Sequence, residues 1–118
     1  MRPLPEGFSI RKGHHDSCDD GGCVMDWTAW ACELPVTDHP ACASDVLTAF
    51  AIPINDAMPD DATRTRLLGP LVEFLAGSRS SPGVELRRAY SLADSAVRVF
   101  APLARETSGL PDAAKSLR

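Results

Sequence analysis

The sequence predicts an all-α fold, a compact bundle of about four helices with an irregular Cys/His-rich N-terminal loop. Apolar residues recur at helical spacing in four separate stretches, strand-type alternation never persists, and Pro or Gly punctuates the gaps. At 118 residues, with 44% hydrophobic and 24% charged side chains, the chain has the size and balance of one globular domain. We expect an irregular arm over 1–12, which holds Pro3, Pro5 and Gly7, and a single helical domain over 13–106. A loose tail with little to pack is expected over 107–118.

The first helix is expected over 23–34, with Val24, Trp27, Ala31 and Leu34 at helical spacing and Pro35 as its stop. Thr37 or Asp38 is the expected N-cap of the second, with Pro40 in its first turn. That helix runs through Val46, Leu47, Phe50 and Ala51 until Pro53 kinks or ends it. A third helix, capped by Asp56 or Asp60, carries Leu67, Leu71, Phe74 and Leu75, bends at Gly69 and Pro70, and ends near Gly77. After the loop SRSSPG a fourth helix starts near Gly83, with Leu86, Tyr90, Ala93, Val97 and Phe100 along one stripe, and Pro102 bends or ends it.

The net charge of −4 conceals an asymmetry. Residues 1–61 hold three basic and eleven acidic side chains, whereas 62–118 hold nine basic and five acidic ones. The acidic half argues against broad nucleic-acid binding, which needs a basic face. The arginines of the other half are interrupted by Glu73, Glu85 and Asp94, the pattern of a solvated helix surface. No apolar run reaches the ~18 residues of a membrane helix, and the N-terminus has no apolar signal core, so a cytoplasmic setting with reduced thiols is expected.

Chemistry concentrates in GHHDSCDDGGCVMDW, residues 13–27, and TDHPAC, residues 37–42. Asp16, Cys18, Asp20 and Gly21 imitate the opening of a calcium loop, but its twelfth position is Trp27 where a bidentate glutamate is required. Calcium is therefore rejected. Zinc fits better. His39 and Cys42 lie three apart, one helical turn, and Cys23 stands at a helix start where the dipole favours a thiolate. His15, with His14 as its substitute, completes a Cys2His2 shell from the loop, although no standard finger spacing is present. Asp16, Asp26 or Asp38 would accept the histidine N–H groups.

The plainer readings stand beside this one. Cys32 packs as a small apolar residue, Cys18 is a spare ligand or an exposed thiol, the histidines are solvated, and Trp27 and Trp30 belong to the core. Cys42 with His39 could also serve as nucleophile and base, but no oxyanion motif, P-loop or Rossmann signature accompanies them.

The order Gly13-His14-His15, Cys23-Val24-Met25-Asp26 and Thr37-Asp38-His39-Pro40-Ala41-Cys42, followed by Asn55-Asp56 and Met58-Pro59-Asp60-Asp61, resembles a family of small helical proteins from high-GC Gram-positive bacteria and their phages. The likeness extends over roughly residues 13–102, including Arg64 to Leu68 and Pro70-Leu71, and the ten arginines against two lysines suit a GC-rich genome. The resemblance implies no nameable activity. It pairs the loop histidine, Cys23, His39 and Cys42, and leaves Cys18 and Cys32 outside the pattern; Pro53 departs from the continuous helix it implies.

The expected function is a binding or regulatory module with a closed structural zinc site formed by His14 or His15, Cys23, His39 and Cys42. One alternative is a metal-dependent hydrolase, with an open site and Asp16 or Asp38 as base. Another is a metal-free helical interaction protein carrying a Cys23–Cys42 disulfide. A protein partner or a second copy would complete its exposed apolar stripes.

Overall fold

The computed structural model describes residues 1–13 and 15–107, and only the backbone of 100, 104, 105 and 107. The fold is all-α, and among the described residues the one β-type feature is an isolated parallel bridge between Ile10 and Gly22. The chain divides into two compact units, Met1–Ser81 and a second that begins at Pro82.

The first unit is built around α1, Val24–Ala31, of whose eight residues only Trp30 escapes full burial. Cys23 opens the helix with a capping box: its Sγ accepts the Asp26 N–H at 3.4 Å, and Asp26 Oδ2 accepts the Cys23 N–H at 2.9 Å. The helix ends earlier than expected. Glu33 takes a positive φ of 58°, and Leu34 donates to the Ala29 carbonyl while Glu33 donates to that of Trp30. These are the two bonds of a Schellman close, so Leu34 lies past the end instead of on the helical face.

The N-terminal arm is irregular but tightly held. Ile10 is fully buried and donates its N–H to Thr65 Oγ1 at 2.8 Å, and the Trp27 indole donates to the Ser9 carbonyl. Arg2 lies over the Trp30 ring, 3.8 Å from its centroid. Trp27 packs edge-on against both Phe8 and Trp30, as core aromatics do.

The second helix, α2, spans Asp45–Ala57; its expected N-cap is corrected, and it does not end at Pro53. Ser44, not Thr37 or Asp38, caps it, because residues 35–44 form a loop that doubles back from α1 and leaves the Ser44 hydroxyl to accept the Leu47 N–H at 3.1 Å. Pro53 sits inside the helix on its exposed side. The turn beyond it is held by Asn55, which is fully buried, accepts the Val24 N–H at 2.9 Å and donates to the Arg11 carbonyl.

Asp60 caps α3, Asp61–Leu68, by accepting the Thr63 N–H. A 3-10 turn, Gly69–Leu71, bends the chain into α4, Val72–Leu75, and Gly77 follows at φ 81°. The bend occurs where a Cβ on Gly69 would lie 2.9 Å from the Phe8 ring. Arg64 on α3 is buried, and its guanidinium donates to the carbonyls of Asn55 and Met58 and pairs with Asp61. It ties the end of α2 to α3.

In the second unit, α5 covers Pro82–Ser95, a π-type turn follows over Ala96–Phe100, and α6 covers Ala101–Thr107. Pro102 thus sits in the first turn of a continuing helical run, just past the widened turn. Residues 108–118, most of the expected tail, lie outside the described residues.

Candidate functional site

Two places in the first unit concentrate unusual chemistry: the N-terminal end of α1 and a groove between α2 and the α3–α4 arm. At the first, the loop 15–22 folds back so that His15 Nδ1 lies 3.2 Å from Asp26 Oδ2, the oxygen that also receives the Cys23 N–H. Asp26 is fully buried, and its other oxygen, Oδ1, meets no hydrogen-bonding partner among the described residues. Gly22 leaves room for this carboxyl: a Cβ there would stand 2.9 Å from Asp26 Cβ and 3.4 Å from Cys18 Sγ. Both Cys18 and Cys23 are free thiols. Burial, reinforced by the Asp26 charge, pushes the Cys23 thiol up from 9.0 to about 12. Burial, with Asp26 and Asp19 beside it, pushes Cys18 up to about 11. Both therefore hold their protons at neutral pH, and neither is a ready nucleophile.

Of the five expected metal ligands, His15 and Cys23 do come together, through Asp26. His14 lies outside the described residues. His39 is exposed on the loop 35–44, its Nδ1 2.8 Å from Asp38 Oδ1. Cys42 is joined to Cys32 in a disulfide across a Cα separation of 6.9 Å, which corrects both the expected Cys23–Cys42 pairing and the reading of Cys32 as mere packing. The reason is geometric. Cys23 and Cys32 bracket α1, and nine residues of helix separate them by about 13 Å. The returning loop brings Cys42 to the far end. Among the described residues no group of three His, Cys, Asp or Glu side chains is arranged to hold a metal ion, so the expected four-ligand shell does not assemble from them.

The second place is apolar. α2 offers Leu47, Phe50, Ala51 and Ile54, the spacing of one helical face. Leu68, Leu71, Phe74 and Leu75 form the facing wall, and Val24 of α1 contributes between them. They line an open groove of about 290 Å³ with almost no polar lining. Phe74 is 74% exposed, and Leu71 and Ile54 are also exposed. Sequence patterning identified these stripes, but not that two of them leave a trough. Nor did it identify Asn55 and Arg64, whose burial depends on three converging segments.

No family model matches the sequence, and no curated protein or solved structure matches it either. No described helix is long and apolar enough to cross a membrane.

Proposed function

We propose that this protein is a self-associating helical interaction module, in which the groove of one copy takes the amphipathic helix α5 of a second. The observation that carries the reading is a pair of exposed apolar surfaces in one chain. The groove presents Leu71 and Phe74, while α5 presents Leu86 and Tyr90 at i and i+4, with Tyr90 70% exposed. A helix laid in such a trough is anchored by residues of that spacing. Apolar patches of this kind mark interaction sites.

Charge favours the same occupant. Residues 1–81 hold six basic and twelve acidic side chains, a balance of −6, whereas 82–118 hold six basic and four acidic ones, a balance of +2. Opposite signs steer such an encounter. The full chain should sediment as a dimer at micromolar concentration. Phe74→Glu and Tyr90→Glu should each weaken association at least about tenfold, since each desolvates a charge where an aromatic ring would be buried. A monomer at every concentration tested, or a dimer indifferent to both substitutions, refutes the reading.

A second reading keeps a metal at the other end of α1. Its support is the buried Asp26 Oδ1 without a partner among the described residues, beside His15 and Cys23. Elemental analysis of tag-free protein tests it: a stoichiometric transition metal supports the reading, and its absence with melting unchanged by chelator ends it.

A further inference from the structure

We infer that the Cys32–Cys42 disulfide is a reversible clamp, opened by a dithiol reductant, that controls the end of the groove where α2 begins. The inference takes the groove's docking role from the proposed function and adds its regulation. Cys42 lies two residues before Ser44, the N-cap of α2. Ser44 ties the two walls together. Its hydroxyl accepts the N–H of Leu47 on one wall, and its own N–H donates to Ser78 Oγ at 2.8 Å. That Ser78 hydroxyl in turn donates to the carbonyl of Leu75 on the other wall at 2.7 Å.

Arg79 bonds to the same loop. Its backbone N–H donates to the Cys42 carbonyl at 3.1 Å, its Nε to the Ala41 carbonyl, and its guanidinium pairs with Asp45 at 2.8 Å. The bonds of Arg79, like those of Ser44, converge on 41–45. On the α1 side, the disulfide is the covalent tie that holds this segment.

Both cysteines of the bridge are only partly buried, so an attacking thiolate has access to them. It forms a mixed disulfide with one sulfur and releases the other as a thiol. The reductant's second thiol then displaces the remaining sulfur. Two electrons and two protons pass to the protein, leaving Cys32 and Cys42 as thiols and the reductant as a disulfide. Cys18 and Cys23 do not compete, because burial beside Asp26 keeps both protonated, which protects the pairing from internal exchange.

The test is amide hydrogen exchange on the full chain, before and after treatment with dithiothreitol, together with binding of an apolar fluorescent dye and a Phe74→Glu control. Protein purified in air should titrate two thiols when denatured, and four after reduction. Exchange at Ser44, Leu47 and Arg79 should then rise at least about tenfold, with α1 unchanged, and should return on reoxidation. The Cys32→Ser, Cys42→Ser variant should match the reduced state without any reductant. Dye binding that depends on Phe74 should also change on reduction.

Unchanged exchange at these amides overturns the clamp, as does a uniform rise across the whole first unit, which would make the bridge a general staple. If exchange responds but no Phe74-dependent dye binding occurs in either state, the docking role fails while the local clamp stands. If dye binding depends on Phe74 but is the same in both states, the regulation of the groove fails and the docking role stands.

Discussion

The two ends of α1 carry cysteines nine residues apart, Cys23 and Cys32, and treat them in opposite ways. At the N-terminal end the thiol is buried, accepts a backbone N–H and shares Asp26 with His15. At the C-terminal end Cys32 is partly buried and bonded to Cys42 on a returning loop. One end is held by hydrogen bonds to a buried carboxyl and the other by a covalent tie. Residue type therefore did not decide the chemistry; what the helix end faces decided it.

The largest effect should come from removing the carboxyl. Asp26→Ala strips the acceptor from the buried Cys23 N–H and breaks the capping box, and should cost about 3 kcal/mol in urea unfolding. A loss below about 1 kcal/mol would show that hydrogen bonding does not hold this end. Next, the Cys32→Ser, Cys42→Ser pair should cost about 2.5 kcal/mol, the entropy of closing a loop whose ends are ten residues apart in sequence. Equal unfolding midpoints with and without reductant would remove the covalent half of the contrast.

Gly22→Ala probes how closely the N-terminal end is packed. The added methyl meets Asp26 at 2.9 Å, and the loss should be about 1–2 kcal/mol in the same assay. A neutral substitution would mean that the carboxyl can shift. The last effect is absent at neutral pH and appears only in alkali. The thiols of Cys18 and Cys23 ionise near 9.0 when unfolded but at about 11 and about 12 when folded, so folding favours their protonated forms. Their contribution is fully present below pH 9 and is lost as pH rises through 11 to 12. Chemical unfolding at a series of pH values should show that decline, and Cys18→Ser should flatten its lower part. A Cys18→Ser profile identical to the parent would refute the shift at that site.

Several features of the fold were legible from the chain. Asp60 as one of two expected caps, the bend at Gly69 and Pro70, and Gly77 as a stop all follow from local stereochemistry. The errors at α2 came from tertiary contacts. Asp38 is a good cap in isolation, yet the loop 35–44 doubles back to meet Cys32, and Ser44 becomes the residue facing a free helix start. Pro53 ends an isolated helix readily, but here the following turn is secured by Asn55, buried between α1 and the arm. At the site, the pairing of His15 and Cys23 through one acid was within reach of the pattern, because a short glycine-bounded loop cannot carry the histidine far. The fate of Cys42 was not.

By itself the sequence determined that the chain is helical, where some of its helices begin and end, and which faces are apolar, because spacing, capping and proline act over a few residues. Tertiary structure alone decided which cysteines bond, which carboxyl is buried, and which apolar stripes are left open as a groove. Those outcomes depend on distances between segments far apart in the chain, and local periodicity holds no information about them.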